Sequence, residues 1–203
     1  MLGRLIRWIG AGRKAATLRR QARRTADPNQ RADLLLRAAT LDDLPSLCLE
    51  AAAALAQVGR LDESAGCWRR ALTLKPVLVP SAAQVEALLP VLPRMAREVL
   101  DGLADGHPGF LDFRWKLERR GSLDGEERWR LEQEKIDGME QLLPTLRYIA
   151  LLVAHTTGAP GRVRIDCDLY DNDTDSYQEI HALGEAIISW DGDRRITDVR
   201  VQA

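Results

Sequence analysis

An acidic run near the C-terminus contains the residue types that could hold a metal ion. Its members are Asp166, Asp168, Asp171, Asp173, Asp175 and Glu179, and His181 follows them. Carboxylate oxygens are the ligands that calcium and magnesium prefer, and a histidine beside a carboxylate can transfer a proton. His181, acting with Asp166 or Asp175, is therefore the one candidate for metal-dependent hydrolysis or other acid–base chemistry.

Within this run, the segment 171–175 matches the start of an EF-hand calcium loop. The match ends there, because Ser176 stands at the sixth position, which needs Gly, and Ala182 at the twelfth, which needs Glu. A solvated loop between strands is the favoured interpretation, and a weak calcium or magnesium site is an alternative. A third is an acidic surface for a basic partner, since Asp166 and Asp168 would share one strand face. No metal or cofactor is assigned.

The other histidines and the cysteines carry no catalytic signature. His107 lies in a Gly-Pro turn, and His155 ends an apolar helix, where a cation is favourable. Cys48, Cys67 and Cys167 form no close pair, so they are expected to be small apolar residues. No nucleophile elbow, phosphate-binding loop, zinc-protease motif or dinucleotide fingerprint occurs. The sequence therefore favours a protein that is not an enzyme.

Residues 1–26 form an arm with eight cations and no acid. Apolar residues between positions 2 and 9 share one helical face, and Gly10 and Gly12 weaken the helix after them. Because Arg13 then turns onto the apolar side, only a short amphipathic piece is expected. The arm suits an anionic membrane surface, whereas nucleic acid is disfavoured because a single tryptophan is available for stacking. The alternative is a solvated helix partly packed on the body. The candidate membrane- or polyanion-binding residues are Arg4, Arg7, Trp8, Arg13, Lys14, Arg19, Arg20, Arg23 and Arg24.

Charge along the chain is distributed in blocks that cancel. The 29 Lys and Arg against 30 Asp and Glu give a formal net charge of -1. The basic arm carries +8, residues 162–203 carry -5, and the stretch between them carries -4. Because the screening length at physiological salt is about 8 Å, a partner meets local charge and not the total. The balance excludes a uniformly basic or acidic binder and predicts two surfaces of opposite sign.

Helices are predicted for the first three quarters of the chain. The stretch from Pro45 to Pro76 predicts two helices, Pro45–Val58 and one that begins near Asp62, with Gly59 at the turn. Ser81 is expected to cap a further helix, and another is expected over Arg94–Ala104. A polar helix is expected from Ser122 or Asp124 to Met139, with a new helix restarting at Pro144.

The hairpin within 45–78 resembles the tetratricopeptide repeat, a 34-residue helical hairpin. The matching residues are Gly59, Leu61, Asp62, Glu63, Trp68, Ala71, Leu72, Leu74 and Pro76, and the departures are Cys48, Leu55 and Ser64. A fainter echo lies one period earlier, at 37–42. The resemblance implies a concave surface that holds a peptide or helix of a partner, with Gln57 as a contact residue. An ordinary helical hairpin is the alternative.

After Gly161 the hydrophobic period changes to two. Val163, Ile165, Cys167 and Leu169 alternate with polar residues, which is typical of a half-buried strand. Residues 186–190 and 196–201 are two more strand candidates, joined by the turn Asp191-Gly192. These elements predict a small antiparallel sheet of three or four strands.

The sequence thus predicts an α+β fold with a mostly helical, tetratricopeptide-like body. The expected parts are the basic arm 1–26, a helical domain 27–160 and an acidic β-rich region 161–203. The favoured function is a non-enzymatic adaptor that binds another protein or peptide through the helical surface and through Asp166 and Asp168. One alternative is a peripheral membrane protein that binds the membrane through the arm. The other is a metal-binding protein or metal-dependent hydrolase. A bacterial, cytoplasmic protein, at most peripheral at the inner membrane face, is expected.

Overall fold

A computed structural model describes residues 2–75, 80–104, 115–124, 126–134, 138–157, 161–170 and 181–202. The chain divides into two compact units, Met1–Met95 and Ala96–Ala203, here called the helical unit and the sheet unit. The division falls inside a helix, after its first turn. The α+β class predicted from the sequence is confirmed.

Six helices precede the first strand in the described part of the chain. They are α1 (Leu2–Arg24), α2 (Pro28–Leu41), α3 (Pro45–Gln57), α4 (Leu61–Leu74), α5 (Ala82–Leu88) and α6 (Leu92–Ala104). Local chemistry sets their ends. Asp27 accepts a hydrogen bond from the Asn29 amide at 2.9 Å, and Ser81 forms a reciprocal capping box with Gln84. Gly59 has a φ of 77°, which few other residues adopt, and it closes the turn between α3 and α4.

The centre of the helical unit is α3, which packs against α2, α4 and α5. Nine of its thirteen residues are buried, and alanines dominate that set, so the neighbouring helices approach closely. Ser46 and Gln57, near its two ends, are its exposed residues. A helix that is apolar on all sides is a core helix and not a surface element.

Helix α1 differs from its prediction. It runs without a break through Gly10 and Gly12, because tertiary packing offsets the low helix propensity of glycine. Ala15, Leu18 and Ala22 are buried on the side of α1 that packs against α2. The C-terminal half of the basic arm is therefore part of the helical unit.

The sheet unit contains β1 (Trp115–Leu123), β2 (Glu126–Glu134), α7 (Gly138–Thr157), β3 (Gly161–Tyr170), β4 (His181–Trp190) and β5 (Ile196–Gln202). The strand order follows the chain, and the described sheet has five strands. Strands β2 and β3 are parallel, with α7 in the crossover between them, and the other pairs are antiparallel. Helix α7 packs against β3, β4 and β5.

The last three strands confirm the alternation seen in the sequence, but the sheet is larger than expected and mixed. The polar helix predicted from Ser122 or Asp124 to Met139 is wrong, because β2 occupies most of that stretch. Asp124 is not a helix cap; its φ of 52° places it in the tight turn between β1 and β2. Helix α7 also continues through Pro144 where a restart was expected.

Candidate functional site

One face of the sheet carries charged residues from β2, β3, β4 and β5, and we call it the charged face. Its members are Glu126, Arg128, Arg130, Arg162, Arg164, Asp166, Asp168, Glu185, Asp198 and Arg200. Alternate residues of β2, β3 and β4 include apolar, buried side chains, among them Val163, Ile165 and Ile188. The period of two therefore places cations and acids from different strands side by side.

Glu126 is the centre of this face, and its side chain is only 3 % exposed. Arg164 donates from Nε to its Oε1 at 2.7 Å, and the Nε of Arg162 lies 2.8 Å from its Oε2. Arg162 forms an ion pair without hydrogen-bond alignment, since Oε2 has no hydrogen-bond partner. The Nε of Arg128 lies 3.9 Å from Oε1. Arg128 and Arg164 stand opposite each other on parallel strands, so the carboxylate offsets a like-charge pair that would destabilise the sheet.

The two acids predicted to bind a partner lie on this face in different settings. Arg130 donates from Nε to Asp168 at 2.6 Å, so Asp168 already has an intramolecular cation. Asp166 is exposed and stands in register between Arg130 and Glu185. The acids of β3 are thus interleaved with arginines, largely because β2 supplies cations from outside the acidic block.

The metal and acid–base candidates fall mostly outside the described residues. The acidic loop 171–175 lies outside the described residues. His181 is described through its backbone alone, as the first residue of β4. Among the residues that the structure describes, no group of three or more His, Cys, Asp or Glu is arranged to hold a metal ion. The sequence predicted that His155 would be favoured as a cation at a helix end. In the structure, burial and the nearby Arg194 lower the pKa of His155 and favour the neutral ring.

All three cysteines are buried and free. Burial raises the pKa of Cys67 to about 11 and that of Cys167 to about 12, and it also raises the pKa of Cys48. A thiol acts as a nucleophile through its thiolate, which such pKa values disfavour at neutral pH. These cysteines are therefore packing residues in the described structure.

Arg–acid contacts link helices of the helical unit that are not consecutive along the chain. Arg60 donates from Nε to Glu63 at 2.6 Å and also contacts Asp33 of α2. Arg94, in the first turn of α6, contacts Asp62 of α4. Two further pairs of the same kind are Arg70 with Asp43 and Arg19 with Glu50. Each of these four long-range contacts spans 27 to 32 residues, about the length of one helical hairpin.

The outward face of α1 is the side away from the buried residues that pack against α2. It carries five exposed cations, which are Arg13, Lys14, Arg20, Arg23 and Arg24. Arg19 lies at the edge of this face and is paired with Glu50. Arg4, Arg7 and Trp8 belong to the α1 backbone, and their side chains lie outside the described part. None of the described helices is long and apolar enough to cross a membrane.

Gln57 is exposed at the end of α3, beside the α3–α4 turn. Since α3 is otherwise largely buried, Gln57 and Ser46 are the exposed positions that this helix offers to a partner. The exposed surface of this region otherwise lies at the hairpin turns and on α2 and α4.

Comparison with known proteins gives no match to a protein-family model, a curated protein or a solved structure. Sequence reasoning missed Glu126 and its arginines because β2 was expected to be a helix. The signal that could have found them is Asp124-Gly125, a common hairpin turn, followed by Trp129 and Leu131 at a spacing of two.

Proposed function

We propose that the protein is a non-enzymatic interaction protein, in which the helical unit is a scaffold of tetratricopeptide-like hairpins that binds another protein. The single observation that carries the proposal is the repeated arrangement of α2, α4 and α6, which begin at Pro28, Leu61 and Leu92. Their starts are separated by 33 and 31 residues, close to the period of the repeat that the α3–α4 sequence resembles.

The Arg–acid contacts support this arrangement. Arg60 and Arg94 are 34 residues apart, and each contacts an acid on an earlier helix. Solvent-exposed pairs of this kind contribute little to stability, so their recurrence supports a stacked arrangement of α2, α4 and α6 more than it supplies free energy. Stacked helical hairpins of this type commonly present a continuous surface to a partner.

The proposed contact surface is the row of hairpin turns that includes Gln57. It is chosen because α3 is buried along most of its length, so a partner reaches this helix only at its ends. Asp166 supplies a second contact on the charged face of the sheet, where it is the exposed member of the two predicted acids.

Affinity capture from native lysate with the full chain as bait tests the proposal. We expect one protein to be retained at about one copy per bait, and Gln57→Arg to lower its recovery about 10-fold, as for loss of a moderate interface residue. Thr73→Arg is the matched control, because Thr73 is exposed near the opposite end of α4. Absence of a stoichiometric partner with folded bait, or equal recovery with both variants, would contradict the proposal.

A further inference from the structure

The outward face of α1 carries cations in a line along one continuous helix. At 3.6 residues per turn, Arg13, Arg20 and Arg24 fall within about 40° of one another around the helix axis. Their line is about opposite to that of the buried residues Ala15, Leu18 and Ala22. Lys14 and Arg23 flank the line on either side. The cations thus form a stripe directed away from the helix that α1 packs against.

Charge on this stripe is not neutralised by acids within the described structure. Helix α1 contains no acid, and no ion pair is formed there by any of the five cations. Arg19, which lies nearer the packed side, is the α1 cation that does find a partner, Glu50. Five charges are therefore concentrated along about 17 Å of helix.

Because α1 is continuous, the side of the helix that carries the basic stripe also includes apolar residues near the N-terminus. Because the helix begins at Leu2, the backbone positions of Leu2, Ile6 and Ile9 fall within about 40° of the line through Arg13. Two apolar turns thus precede the basic stripe on the same side of one helix. Gly10 and Gly12 do not interrupt this line, although the sequence predicted that they would weaken the helix.

We propose that this side of α1 binds the surface of an anionic phospholipid bilayer. Apolar positions at the helix start would enter the interface between headgroups and acyl chains, and the cations would meet the headgroup phosphates. Duplex nucleic acid would use the cations but would leave the apolar turns without a function, so a lipid surface fits the whole stripe better. This goes beyond the protein partner proposed above and does not depend on it.

Vesicle co-sedimentation of the full chain tests the proposal. The probe is vesicles of phosphatidylcholine with about one-third phosphatidylserine, compared with phosphatidylcholine alone. We expect binding to the anionic vesicles that weakens as salt is raised. Arg13→Gln, Arg20→Gln and Arg24→Gln together should weaken it about 100-fold, since each charge near an anionic leaflet contributes about 1 kcal/mol, or close to a factor of five.

A control with the same change in net charge is Arg147→Gln, Arg195→Gln and Arg200→Gln, three exposed arginines of the sheet unit. It should leave vesicle binding within about 3-fold of the unsubstituted protein. A third variant, Ile6→Asp with Ile9→Asp, should also weaken binding while the cations remain. Equal binding to neutral vesicles would overturn the proposal, as would equal losses in the two arginine triples. Binding to duplex DNA with no binding to vesicles would assign the stripe to nucleic acid instead.

Discussion

The outward face of α1 and the charged face of the sheet both present rows of arginine, but they differ in the acids around them. On the sheet, Glu126 lies within reach of three arginines, and Arg130 is paired with Asp168. On α1, Arg13, Lys14 and their neighbours have no acid on their own helix. The sheet uses its charges to hold strands together, whereas α1 leaves its charges available to another molecule.

This difference shows why charge blocks along a sequence are a poor guide to surfaces. Residues 162–203 carry -5, which predicted an acidic surface. The parallel pairing of β3 with β2 places Arg130 in register with Asp166 and in an ion pair with Asp168, so the acids of β3 have a cation beside them on that face. On α1, the exposed cations Arg13, Lys14, Arg20, Arg23 and Arg24 form no ion pair within the described structure, because α1 packs against α2 through Ala15, Leu18 and Ala22.

Removing the central carboxylate of the sheet tests the comparison most strongly. Glu126→Gln should lower the free energy of unfolding by about 3 kcal/mol, because it leaves neighbouring arginines without the buried charge that offsets them. Urea unfolding measures this. The control Glu118→Gln removes an exposed carboxylate, 3.2 Å from Arg120, and should cost less than about 1 kcal/mol. Similar losses in the two variants would show that Glu126 is an ordinary surface acid.

The helical unit should instead be sensitive to volume. Ala52→Leu adds methyl groups to a fully buried position of α3 and should lower the free energy of unfolding by about 2–3 kcal/mol. Ala83→Leu makes the same change at an exposed position of α5 and should be nearly neutral. Thermal or urea unfolding of both variants provides the comparison. If Ala52→Leu were neutral, α3 would not be the tightly packed centre of this unit.

Gly161 tests packing in the sheet unit at the first residue of β3. A Cβ built there would lie 2.7 Å from Cζ2 of Trp190 on the paired strand β4. Gly161→Ala should therefore force the indole to move and cost about 2 kcal/mol in unfolding free energy. Gly192→Ala is the matched control, since a Cβ there meets nothing within 4 Å. Equal stability of the two variants would mean that the ring adjusts freely.

A smaller decrease in the free energy of unfolding is expected from ionisation of the Cys167 thiol at high pH. Its pKa is raised to about 12, so between pH 9 and 12 the folded chain holds a proton that the unfolded chain releases. Stability is then fully present below about pH 9 and falls as the pH rises, by about 1 kcal/mol at pH 10. Urea unfolding at pH 8 and pH 10 should show a smaller decrease for Cys167→Ala than for the unsubstituted protein. An identical decrease would place the thiol in a more solvated setting.

Much of this fold could be predicted from the sequence, for identifiable reasons. Helices α3 and α4 are bounded by Pro45, Gly59 and Pro76, and their apolar residues follow the helical period. Strand β3 alternates strictly, and Asp191-Gly192 lies in the turn between β4 and β5. In each case local turn chemistry and hydrophobic period agree, so tertiary context changes little.

Strands β1 and β2 could not be predicted by the same reasoning. Their sequences are rich in Glu, Arg and Leu, which have high helix propensity, and only alternate positions such as Leu117 and Leu131 are buried. The continuity of helix α1 was also missed, because the low helix propensity of glycine was considered without the packing of Leu18 and Ala22. In both places tertiary contacts decided the local structure.

Arginine-directed dicarbonyl labelling, measured by peptide mass spectrometry, tests the contrast between the two faces most directly. In the free protein we predict rapid labelling of Arg13, Arg20 and Arg24, and slow labelling of Arg130 and Arg164, which are 27 % and 30 % exposed and ion-paired. Adding vesicles with about one-third anionic lipid should protect the α1 residues and leave the sheet residues unchanged. Equal labelling rates on both faces, with no protection by vesicles, would contradict the account.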